Sequence, residues 1–303
     1  MAIQKILTLQ GILFLLVLTG IILKWTGLFP EEGKAILTDI LIYVFLPANI
    51  VASFLVTFNA KILIQLMVVF LLGVFQQVSC LVFNRFAWNH LDIEEKKVLQ
   101  YCTLCSNSGF IGLSIIGDIF GAQGLMYASV GTIPQAITTW SAGISYFEKG
   151  QNTREVIKRV AIHPGIIAVY LGLFFMLTGI RPPVFVSNTL RMMGACTLPV
   201  SMIVIGAVLG EVTDIKSMLS GKIWYYTIIR LVFLPLIVFI TGRIFHVDKL
   251  LTGIIVLVAA MPAASTGVLF AAKYKSDYIF ATKCVVVTTA LSLITIPLWC
   301  LLL

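Results

Sequence analysis

The chain has 303 residues, of which 59% are apolar and only 11% are Asp, Glu, Lys or Arg, where a soluble domain carries about 25% charged residues. That composition excludes a soluble enzyme, because apolar windows long enough to cross a ~30 Å hydrocarbon layer follow one another along the whole length. The net charge of +8 is scattered over short loops rather than gathered into one stripe, which argues against nucleic acid as a partner and fits the Lys/Arg enrichment of cytoplasmic loops in membrane proteins.

Windows bounded by charge, Pro and Gly predict an all-α polytopic membrane protein with ten helices, near 6–24, 36–58, 62–83, 98–120, 124–146, 163–179, 184–209, 222–245, 251–273 and 278–302. The first window is too long for a signal-peptide core and no small-residue cleavage site follows it, so it reads as a retained helix. The longest connection, Phe147–Ile162, leaves no room for a catalytic domain outside the bilayer. An even number of spans puts both termini on one side. That side holds Lys5, Lys61, Arg181, Arg191, Arg243 and Lys249, whereas the opposite side holds Lys24, Lys34, Arg85, Lys96, Lys97, Lys149, Arg154, Lys158, Arg159, Lys216, Lys222, Lys273, Lys275 and Lys283. The positive-inside rule therefore places both termini outside the plasma membrane.

The chain also reads as two halves, 1–150 and 151–303. Pro47 in the second span and Pro199 in the seventh share a Leu-Pro step and lie half a chain apart. Five spans per half is an odd number, so the second half enters the bilayer in the opposite sense, as in the inverted repeats of many secondary transporters.

Two windows carry helix breakers at mid-depth. The fourth contains Cys105-Ser106-Asn107-Ser108-Gly109-Phe110-Ile111-Gly112, and the ninth contains Ala260-Met261-Pro262-Ala263-Ala264-Ser265-Thr266-Gly267. Proline removes an intrahelical hydrogen bond and glycine tolerates non-helical torsions, so both helices are expected to break. A break exposes half-helix N-termini, with free N–H groups and partial positive charge, which suit a carboxylate. Ser106 or Asn107 is placed to cap one half-helix and Ser265 or Thr266 the other. The candidate substrate-binding set is Ser106, Asn107, Ser108, Gly109, Pro262, Ala264, Ser265 and Thr266, with Pro47, Asn49 and Pro199 as kinking or flanking residues. Small residues also serve plain helix packing in membranes, but matched interruptions in both halves favour a binding site.

Arg230 lies well inside the eighth span. It is either a charge partner for a bound anion or a snorkelling side chain reaching the cytoplasmic surface. All thirteen carboxylates fall in loops or near span ends, with Asp39 and Asp118 the most inset, so no acidic relay for protons or sodium is visible. The six cysteines sit in apolar spans, and the Cys102/Cys105 pair reads as packing rather than as a redox motif. No hydrolase, metalloprotease or phosphate-loop pattern occurs, and neither metal nor cofactor is expected.

Taken together, Leu46-Pro47, Asn107-Ser108-Gly109-Phe110-Ile111-Gly112-Leu113, Thr197-Leu198-Pro199, Met261-Pro262-Ala263-Ala264, Ala272-Lys273-Tyr274 and the closing 291–299 segment resemble the auxin efflux carrier family, which includes bacterial malate and malonate permeases and plant auxin exporters. The resemblance covers essentially the whole chain. It implies two inverted five-helix repeats, termini outside, broken helices four and nine crossing where an organic anion binds, and a homodimer. Asn107 matches the family's crossover asparagine and Pro262 its crossover proline. Ser114 departs from a proline common in the family, and the long hydrophilic loop of many plant members is absent, which points to a bacterial-type member. The expected function is a permease or exporter moving a small organic anion such as malate, malonate or an auxin-like acid by alternating access. The alternatives are an anion channel or a membrane sensor of organic acids.

Overall fold

The structure is a computed structural model describing residues 2–56, 59–147, 153–210, 218 and 220–303. Among these residues the regular elements are all helical. The chain begins with α1 (Ala2–Trp25), α2 (Glu32–Ser53) and α3 (Ala60–Ala87). The fourth predicted window becomes two helices, α4 (Ile93–Leu104) and α5 (108–120), separated by a non-helical step. Gly121, at φ 68° and ψ −166°, bends the chain into α6 (122–143). Glycine alone adopts such torsions readily.

The second half contains α7 (Thr153–Ala161), α8 (Pro164–Thr178), α9 (Val184–Gly210) and α10 (Gly221–Ile244). The ninth window also divides, into α11 (Lys249–Ala259) and α12 (Thr266–Lys273), before α13 (Tyr278–Leu302). Among the described residues six helical runs are long and apolar enough to cross a membrane, and the protein is a multi-pass membrane protein.

One expectation needs correction. The 147–162 connection, read above as a loop between spans, contains the helix α7, which no predicted window included. Its sequence, Thr-Arg-Glu-Val-Ile-Lys-Arg-Val-Ala, is too short and too charged for an apolar-window search to register. Lys149 and Lys216, used above to orient the chain, and the side chain of Lys5 lie outside the described residues.

Small residues set the closest helix contacts. Gly20 of α1 meets Gly206 of α9, and an added Cβ at either would strike the facing backbone. Gly73 of α3 likewise lies against the Gly131 backbone of α6, where an added Cβ at Gly73 would strike it. Such contacts let backbones come together where lipid offers no hydrophobic drive to associate. α11 is buried continuously from Leu251 to Ala259, so it is surrounded by protein and its sequence is apolar on every face.

Prolines shape two of the surrounding helices alike. The tetrapeptide Val-Phe-Leu-Pro occurs at 44–47 and again at 232–235. In each case a π-helical turn ends two residues before the proline, Leu41–Phe45 in α2 and Ile229–Phe233 in α10. Proline cannot donate to the preceding turn, and the widened turn accommodates the lost hydrogen bond. The turn in α10 carries Arg230. Pro199 follows a turn at Cys196 that interrupts α9, and Asn49 packs against Gly194, where an added Cβ would lie 2.9 Å from the Asn49 Cα.

Candidate functional site

α4 ends at Leu104, and Cys105 is extended at φ −104° and ψ 105°. The step from α4 to α5 runs antiparallel to the step from α11 to α12, with Ser106 opposite Ala263. Asn107 N donates to Pro262 O at 2.8 Å and Ala264 N donates to Cys105 O at 3.1 Å. Each broken helix thus supplies hydrogen-bond partners for the other, which removes much of the cost of non-helical backbone at membrane depth. Glycines permit the close fit. An added Cβ at Gly112, early in α5, would stand 3.0 Å from Met261 Cγ, and one at Gly267 of α12 would stand 2.8 Å from Cys102 Sγ.

Neighbouring helices hold the crossing in place. Gln135 of α6 grips Ser106 twice: Ser106 Oγ donates to Gln135 Oε1 at 2.7 Å, and Gln135 Nε2 donates to Ser106 O at 2.8 Å. Ala263 N donates to Thr288 Oγ1 of α13 at 3.2 Å. Tyr226 OH of α10 donates to Cys102 O at 2.9 Å, and Tyr101 OH donates to Thr266 Oγ1 at 2.9 Å.

Arg230 is fully buried, at 0% exposure. Its Nε donates to Met261 O at 2.9 Å and its Nη1 to Thr103 O at 3.0 Å, while Nη2 is buried without a partner. Thr103 lies in the last turn of α4, and Met261 stands two residues beyond the end of α11. A helix C-terminus carries roughly half a negative charge, so one guanidinium faces two of them. It is the only charged side chain buried in the core among the described residues. Asp39 and Asp118 are both exposed.

The predicted binding residues meet at this crossing but do not all have the expected roles. Asn107 and Ser265 stand at the N-terminal ends of α5 and α12, yet neither side chain caps its helix. Side-chain capping needs an extended cap residue, whereas Asn107 has φ −77° and ψ 41° and Ser265 lies in the helical region. Ser106 is held by Gln135, and Thr266 accepts from Tyr101, so neither of these caps a helix. The polar backbone of Pro262 and Ala264 is occupied in the inter-segment pairing. Pro47, Asn49 and Pro199 lie in the flanking helices rather than at the crossing.

Arg230 does not snorkel, because its exposure is nil. Asn107 is only 5% exposed, and its amide makes no hydrogen bond to any described residue; Ser108 is buried, Gly109 half-buried and Ser265 exposed. An unused amide at a helix N-terminus, beside N–H groups with no intrahelical acceptor, is equipped to receive an anion. Cys102 and Cys105 are free thiols, the latter 3.0 Å from Thr139 Oγ1.

Reasoning from the sequence missed Gln135 and the bridging role of Arg230. Gln135 follows Pro134 in a stretch that reads as ordinary span, and nothing local marks its partner 29 residues away. The one available signal was a polar residue of high hydrogen-bonding capacity at membrane depth.

A family profile described as "Membrane transport protein" matches residues 6–159 and 151–300. An uncharacterized transporter of Methanocaldococcus jannaschii is 24% identical over 95% of this chain and 96% of its own length. One from Methanothermobacter thermautotrophicus is 27% identical over 94% of each chain. The uncharacterized transporter YfdV of Escherichia coli is 25% identical over 73% of this chain and 74% of its own.

Proposed function

This chain belongs to the membrane transport protein family, the auxin efflux carriers of the sequence resemblance, and from that premise we propose that it is a secondary transporter for a small organic anion, a carboxylate such as malate, malonate or an auxin-like acid. The observation that carries the reading is the unpartnered Asn107 amide, on a residue only 5% exposed at the start of α5, beside an extended crossing of two broken helices. The carboxylate meets the N-terminal ends of α5 and α12, with Asn107, Ser108 and Ser265 completing its hydrogen bonds.

The architecture proposed is ten spans in two inverted five-helix repeats, 1–150 and 151–303. The paired breaks and the doubled profile match favour it. Transport proceeds by alternating access in the plasma membrane, with both termini outside and two copies forming a homodimer. The membrane potential supplies about 2.3 kcal/mol per charge for each 100 mV, so export of an anion from a negative interior is the downhill direction.

The test is transient current from purified protein in liposomes on a solid-supported membrane, challenged with malate, malonate, citrate, lactate and an indole acid. A saturable, selective current abolished in an N107A/S265A double variant supports the reading. Current that survives unchanged in that variant removes the crossover as the site, and unitary conductance steps in a planar bilayer would indicate a channel instead.

A further inference from the structure

We propose that Arg230 sets the charge the crossover accepts, and that the anion it takes is singly charged: an auxin-like acid as its carboxylate, and malate or malonate only as the singly protonated form. The inference rests on the transporter reading above and names the substrate class of the same site. Four half-helix ends meet at the crossing. The C-terminal ends of α4 and α11 together carry about one negative charge, and the N-terminal ends of α5 and α12 about one positive charge. Without a side chain these contributions cancel, and the crossing is close to neutral.

Arg230 removes that balance. Its guanidinium bonds Thr103 O in the last turn of α4 and Met261 O two residues beyond α11, and so sets one positive charge against both negative ends. No carboxylate is buried with it among the described residues, and its Nη2 has no acceptor. The crossing is left with about one uncompensated positive charge, located where Asn107 offers its free amide. A monoanion restores neutrality at the crossing, a neutral molecule leaves a positive charge, and a dianion introduces a negative one. Uncompensated charge away from water is costly in either sign.

The experiment uses pairs of one skeleton in different charge states: malonate, succinate and phthalate, each as the dianion, the monomethyl ester monoanion and the neutral dimethyl ester. Binding to the purified protein in lipid nanodiscs at neutral pH is measured by titration calorimetry for wild type, R230M and R230K. The expected result is that the monoanion of a binding series outcompetes both its dianion and its diester by about tenfold or more. In R230M the monoanion-to-diester preference falls about tenfold, and R230K restores it. A ratio within one protein is insensitive to partial misfolding, which lowers all affinities together.

Should R230M fail to assemble, the wild-type and R230K charge preferences carry the test alone. Dianions binding as well as or better than their monoesters would overturn the inference while leaving the transporter reading intact, as would an unchanged monoanion preference in well-folded R230M. Failure of every member of every series to bind would overturn the carboxylate-site reading and this inference with it.

Discussion

Replacing Gln135 with Leu tests whether the crossing depends on tertiary hydrogen bonds rather than on its own sequence. Leucine nearly preserves the volume but removes both bonds to Ser106, the 2.7 Å bond from Ser106 Oγ and the 2.8 Å bond to Ser106 O. Each is worth about 0.5–1.5 kcal/mol net, and the buried Ser106 carbonyl left without Gln135 adds about 1–3 kcal/mol. Ser106 Oγ keeps a weaker alternative in Val258 O at 3.4 Å, and Gln135 is itself only half-buried, so the lower part of the range applies. The expected loss is about 2–3 kcal/mol, read from reversible unfolding by sodium dodecyl sulfate in mixed micelles. A double-mutant cycle with S106A isolates the hydroxyl bond and is expected to show about 1 kcal/mol of coupling. A Q135L variant within about 0.5 kcal/mol of wild type would refute the claim that α6 holds the break open.

Asn107→Ala is expected to leave unfolding stability within about 0.5 kcal/mol of wild type, since the amide bonds nothing in the protein, while lowering transport about tenfold or more; a stability loss matching the transport loss would make Asn107 structural. Tyr226→Phe deletes the buried bond to Cys102 O and should cost about 1–3 kcal/mol, measured in the same micelle titration. Gly206→Leu forces a side chain into the α1 backbone and should destabilise by at least about 1–3 kcal/mol, whereas the same change at Gly11, with open space around it, should be tolerated. Asp248→Ala removes an N-cap that accepts from Leu250 N at 2.9 Å and Leu251 N at 3.4 Å, for an expected cost of about 0.5–2 kcal/mol; a cost near zero would mean water replaces the cap fully.

The sequence by itself determined both interruptions and the apolar helices around them, though not the charged helix α7, because apolar run length and the torsional limits of Pro and Gly are local properties. It also narrowed the starts of the outgoing half-helices to Ser106 or Asn107 and to Ser265 or Thr266. The tertiary structure alone decided what those residues do. Pairing of the two broken segments fixes torsions at Asn107 and Ser265 that forbid side-chain capping, and so frees the Asn107 amide. Arg230 showed the same division: a charge inside a span was legible as significant, but its role depends on carbonyls 31 and 127 residues away. No local pattern encodes such partners, since they arise only when two breaks fold onto each other and a π turn in a third helix aims a guanidinium between their ends.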